Sequence, residues 1–150
     1  VNMANKNIYE SSPEAIQAHL GILQGIIQRM SANSASSKAW CITLVSAILV
    51  FVADKGKPQY ILIAIIPTIL FFVLDAYYLA LEIRFRNSYN EFIEKLHNSK
   101  VVTSDLYAVL PKGNQLKIFF VALFSFSVWP FYLTLLGLIW ITKEIVIANP

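Results

Sequence analysis

Asp75, Lys38 and the hydroxyls of Ser31, Ser34, Ser36 and Ser37 are polar groups set in or beside apolar sequence, and they are the residues whose chemistry most needs explaining. A carboxylate at the centre of a bilayer costs about 2.5–3.5 kcal/mol on insertion scales and less near the interface. It therefore needs a partner or water. Three roles stay open for Asp75: a structural ion pair or hydrogen-bonded helix contact, a pore or gate residue, and a proton relay. Counted outward from Gly56, Asp75 lies 19 residues along one arm and Lys38 18 along the other, which puts them at one depth if the arms form a hairpin. Arg29 and Glu82 are level in the same way. Lys38 and Arg29 are nine residues apart, half a turn out of phase at about 3.6 residues per turn, whereas Asp75 and Glu82 share a face. Only one of the two bases can face the acidic side of a straight helix pair; the other is left for a third helix or a neighbouring subunit. Ser34 and Ser37 join Asp75 and Lys38 as candidate intramembrane polar or gating residues. Small hydroxyl residues there serve close helix packing or a wet pore mouth.

Enzymatic signatures are missing. The chain has no phosphate loop and no dinucleotide glycine pattern, and one cysteine with two distant histidines, His19 and His97, makes no metal set. We expect no enzyme activity and no cofactor. Cys41 cannot form a disulfide within the chain, and its apolar setting marks an inert thiol. His97 closes a charged helix, where it meets the helix dipole in solvent, and His19 reads as an exposed helix residue.

The elements that hold these groups follow from hydropathy. Uncharged apolar stretches cover 39–53, 58–74 and 118–142, and the composition is 57% hydrophobic with 14% charged residues. About 20 apolar residues cross about 30 Å of hydrocarbon. The third stretch meets that length alone, while the other two draw on 35–38 and 75–81 at their flanks. We therefore expect an all-α integral membrane protein with three spans at about 35–53, 58–81 and 116–142. The opening residues hold no apolar leader segment, and 1–12 read as a flexible start.

Helix signals extend both arms of the hairpin beyond the membrane. Ser12-Pro13-Glu14 has the form of a helix start, and Ile16, Leu20, Leu23, Ile27 and Met30 make a narrow apolar seam behind it. No proline or glycine interrupts 26–52, so one helix from about 13 to 52 is expected. The second arm carries Phe85, Tyr89, Phe92 and Leu96 at 4-3-4 spacing, with Glu82–Arg86 and Glu91–Lys95 at i,i+4. Arg29, Glu82, Arg86, Tyr89 and Phe92 are thus candidate helix–helix contacts of a hairpin formed by 13–34 and 82–98. Residues 99–115 form a connector, and 143–150 a tail. Pro67 and Pro130 are candidate kinks, and Trp129-Pro130 leaves a re-entrant pair of half-helices as the alternative to a single third span.

Lysine and arginine are asymmetric about the spans. Arg29, Lys38, Arg84, Arg86, Lys95, Lys100, Lys112 and Lys117 lie on one side against Lys55, Lys57 and Lys143 on the other. The richer side is expected to be cytoplasmic, which places the N-terminus inside and the C-terminus outside. The net charge of +3 then follows from topology, and no direct nucleic-acid binding is expected.

This order of helices resembles SLATT-type two-span proteins and similar short membrane proteins that accompany prokaryotic antiphage systems. The residues that carry the resemblance are Gln24-Gly25-Ile26-Ile27-Gln28-Arg29-Met30, Asn33-Ser34, Lys38-Ala39-Trp40 and Leu74-Asp75-Ala76-Tyr77-Tyr78-Leu79, then Glu82, Phe85-Arg86 and Tyr89. The similarity covers about 15–95, and the third span departs from a two-span core. It implies a homo-oligomeric effector or accessory protein of a bacterial inner membrane, answering a cytoplasmic defence protein by perturbing or permeabilising the bilayer. A non-conducting scaffold or immunity-type inhibitor, binding a partner through its helices, is the alternative.

Overall fold

The computed structural model describes residues 12–55 and 57–148. The flexible start assigned to 1–12, apart from Ser12, lies outside the described residues, as do Gly56 of the hairpin turn and the last two positions of the tail. Four α-helices carry the described residues: α1 Pro13–Lys55, α2 Ile65–His97, α3 Gln115–Leu123 and α4 Trp129–Ala148, with 3-10 segments at Pro58–Ala64 and Thr103–Asp105. Three helical segments are long and apolar enough to cross a membrane: Pro13–Lys55, Gln59–His97 and Trp129–Val146.

The 43 residues of α1 make a rod of about 64 Å, twice the thickness of a hydrocarbon core. It lies against α2 along most of its length, and this pairing is the most extensive packing in the molecule. The buried positions between the apolar arms are small: Cys41, Val45, Ala64, Ala76 and Ala80. Lipid tails are as apolar as leucine, so helices in a bilayer gain little by hiding large side chains from their surroundings; close backbone approach across small residues is what favours their contact. The large apolar side chains point outward instead, among them Trp40, Val50, Phe51, Leu70, Phe126 and Trp140.

Both candidate kinks mark helix beginnings. A proline inside an α-helix clashes with the carbonyl four residues earlier and leaves one bond unmade. For Pro67 that carbonyl belongs to Ile63, inside the 3-10 run, and the α-helix starts only at Ile65, so Pro67 occupies its first turn, where no N–H is required. For Pro130 it belongs to Phe126, and the chain is non-helical from 124 to 128. The single helix expected at 116–142 is therefore two, α3 and α4. The break is sealed locally, since the Ser125 carbonyl accepts from the N–H groups of Val128 at 2.9 Å and Trp129 at 3.1 Å, and Ser125 Oγ accepts from the Ser127 N–H at 3.3 Å.

The two pieces run in one direction along α2. Gln115 and Leu116 of α3 lie beside Arg84 at the charged end of α2. Further along, the Tyr132 hydroxyl donates to the Phe71 carbonyl at 3.0 Å, and α4 then packs on the 58–64 segment at the opposite end. This progression along α2 does not reverse among the described residues.

The connector is fastened to α2 throughout its second half. Ser88 Oγ donates to the Leu110 carbonyl at 2.5 Å, Arg84 Nη2 to the Pro111 carbonyl at 3.2 Å, and the Lys112 N–H to the Arg84 carbonyl at 3.1 Å. Gly113 has φ +107, and a Cβ there would stand 2.6 Å from Ile118 Cδ1, so only glycine fits the turn into α3.

Ala76 is wholly buried between helices, so Ala76→Leu should overpack the hairpin and destabilise it by about 1–3 kcal/mol, whereas Ala53→Leu on an exposed face should be neutral. Melting of the detergent-solubilised variants distinguishes these outcomes.

Candidate functional site

The polar centre lies where the charged and apolar halves of the hairpin meet. α2 buries Asp75 completely. On α1, Ser34 and Lys38 are one turn apart and face it: Ser34 Oγ donates to Asp75 Oδ1, and Lys38 Nζ stands 2.6 Å from Oδ2 and donates to Ser34 Oγ at 3.3 Å. The three side chains form a closed triangle in which the ammonium serves both the carboxylate and the hydroxyl. Oδ2 takes no hydrogen bond of ordinary geometry and faces the Lys38 charge. The Lys38 side chain keeps 22% exposure against 0% for Asp75, so its head retains a route to polar surroundings.

The other sequence candidates divide. Ser37 is buried but donates to the Asn33 carbonyl of its own helix at 2.9 Å, outside the triangle. Glu82 is level with Arg29 as counted, yet its partner is Arg86 at 2.7 Å on its own helix, and Arg29 is exposed without an ion pair among the described residues. Lys38 is thus the single base on the acidic side. Tyr89 accepts from Gln24 Nε2 at 3.4 Å, and Phe92 is buried in the seam, so both lie between the charged arms of α1 and α2.

His19 corrects its reading as an exposed residue. It is 1% exposed, with its ring 4.4 Å from that of Phe92, and its Nδ1 accepts the Tyr107 N–H at 3.0 Å. Tyr107 adopts φ +63 to make this contact, and the neutral imidazole closes the connector onto both arms. Nearby, Lys95 pairs with Asp105 at 2.8 Å and with Glu91 at 3.6 Å, and Lys112 also pairs with Glu91. Burial lowers the His19 pKa, with the Asp105 carboxylate pulling it upward to a lesser extent. Burial also acts to raise the Asp105 pKa, but hydrogen bonds from Lys95 and the Val102 N–H outweigh it and hold the carboxyl below its ordinary range. The signal for His19 in the sequence is its spacing from Ile16 and Leu23, which places it on the buried seam.

The arrangement can do one thing directly: it holds α1 and α2 in a fixed axial register through an ion pair shielded from solvent. Breaking a buried pair by removing one partner costs about 3–5 kcal/mol, mostly for the charge left behind. Because Asp75 is the more deeply shielded, Lys38→Met should destabilise the protein more than Asp75→Asn, and Lys38→Met combined with Asp75→Leu should recover much of the loss. Thermal unfolding of the three variants in one detergent checks this order.

The His19 contact has a pH consequence. A folded-state pKa below the ordinary 6.5 means that the unfolded chain takes up the proton first, so the contribution is complete above about 6.5 and lost as pH falls through the lowered folded value. Hydrogen exchange at the Tyr107 amide, corrected for intrinsic rates, should lose protection on acidification over that range, and His19→Gln should remove the dependence. No family model matches this chain, and it matches no curated protein and no solved structure.

Proposed function

We propose that this protein is an inner-membrane effector or accessory component of a bacterial antiphage system. In this reading its N-terminus is cytoplasmic and its C-terminus periplasmic, and it assembles side by side with copies of itself and perturbs the bilayer on a cytoplasmic signal. The observation that carries the self-assembly is one face of α1, where Ala32, Ser36, Ala39, Thr43 and Ala47 recur at spacings of three and four and are all exposed. Neighbouring apolar positions on the same helix bear Trp40, Leu44 and Phe51, so the small face is a groove in an otherwise bulky surface. In lipid such a face favours a second helix by close backbone contact. The exposed apolar side chains of α2 and α4 support the bilayer as surroundings, because that much contiguous apolar surface would aggregate in water. The lysine and arginine asymmetry supports the orientation, and the resemblance of residues 15–95 to SLATT-type proteins supplies the defence role.

The mechanism that fits is a change of helix register at the Ser34–Lys38–Asp75 triangle. The cytoplasmic arms receive a partner, α1 moves against α2, and the shielded charges become available to line a path between copies. One observation favours the alternative of a non-conducting scaffold or inhibitor: Asp75 is completely closed off by its own chain.

The test is the mass of the detergent-solubilised protein and its release of a trapped dye from vesicles. An oligomer that leaks, and an Ala39→Phe variant that is monomeric and silent, is the expected result. A monomer that folds, inserts and leaves vesicles intact overturns the effector reading in favour of the scaffold.

A further inference from the structure

Between α2 and α3 runs a groove of about 390 Å³, lined by Leu70, Val73, Leu74, Tyr77, Leu116 and Phe119 and ending at Arg84 and Gln115. From Leu70 to Leu81 the apolar wall extends about 16 Å, close to the half-thickness of about 15 Å that one leaflet contributes. The polar end carries one positive side chain, Arg84. Arg84 has no carboxylate partner among the described residues, its Nη2 donates only to the Pro111 carbonyl, and its Nε is buried without a hydrogen-bond partner. The first turn of α3 adds free N–H groups, since Asn114 Oδ1 satisfies only that of Lys117. A part-buried guanidinium with an unpartnered donor at the mouth of an apolar groove calls for an anion attached to an apolar chain.

We infer that this groove is a binding site for an anionic phospholipid of the cytoplasmic leaflet, with one acyl chain along Leu70–Leu81 and the phosphate at Arg84 and the start of α3. The site rests on the membrane reading above but is independent of conduction or defence. Charge complementarity selects the occupant: the groove supplies one guanidinium without a carboxylate partner among the described residues, and Lys117 lies in the first turn of α3. A zwitterionic lipid carries a cation of its own and gains less. The bound lipid bridges α2 and α3, covering a seam that the protein's own side chains leave open, and completes the packing of the third crossing.

The experiment is native mass spectrometry of protein taken from nanodiscs that contain equal phosphatidylglycerol and phosphatidylcholine. Retention of phosphatidylglycerol should exceed that of phosphatidylcholine by about fivefold, the ratio that corresponds to ~1 kcal/mol for one basic residue at an anionic surface. Arg84→Gln should bring the ratio near one, while Arg84→Lys should preserve part of it. Val73→Trp, which fills the groove and leaves Arg84 intact, should also reduce retained phosphatidylglycerol and guards against misfolding of the arginine variant. Equal retention of the two lipids by the wild type, or an unchanged ratio in both Arg84→Gln and Val73→Trp, overturns the lipid site while the membrane reading stands. Failure of the wild type to enter nanodiscs overturns both.

Discussion

A carboxylate removed from water must be neutralised where it stands, and in this protein that requirement fixes how the two longest helices meet. Asp75 has no exposure, and among the described residues the positive group that pairs with it is Lys38, one turn from the serine that donates to the same carboxylate. Sliding α1 by a single turn of about 5.4 Å would part these groups and strand a charge. The small residues Cys41, Val45, Ala76 and Ala80 then pack at heights that the pair has determined. Apolar packing alone is a weak guide to axial position, because neighbouring turns of a helix present similar surfaces. The ion pair distinguishes them.

The third apolar stretch obeys a different constraint. Backbone groups freed inside hydrocarbon must find partners within the protein. Pro130 makes a continuous helix impossible, and the break that it imposes is closed by Ser125, whose carbonyl and hydroxyl together accept three N–H groups. Pro67 acts in the same manner at less disturbance, because the residues before it adopt 3-10 geometry and no gap opens. In both cases the proline sets a helix start.

Much of the hairpin is legible from spacing. Lys38 and Asp75 can be brought level by counting from the turn, and the phase difference between Lys38 and Arg29 tells that only one of them meets an acid. Glu82 shows the limit of that count: Arg86, one turn away on the same helix, reaches it first. The split of the third stretch is not visible in hydropathy, since residues 124–128 are as apolar as the helices they separate, and only the proline announces it. For His19 the spacing from Ile16 and Leu23 signals the buried seam but not the contact that closes it. Its partner is the backbone of Tyr107, 88 positions along the chain, and no local pattern reports what a loop will cover. The open groove at Arg84 likewise depends on where α3 comes to rest.

The unbroken length of α1 gives the molecule a mechanical property. A helix without proline or a 3-10 step between Pro13 and Lys55 behaves as a stiff beam, and the triangle at Lys38 is the ion-paired attachment that joins it to α2. About 38 Å of the beam lies on the charged side of that pivot and about 26 Å on the apolar side. Any tilt about Lys38 therefore displaces the N-terminal end roughly one and a half times as far as the turn at Lys55, and a small force applied to the long arm arrives magnified at the short one.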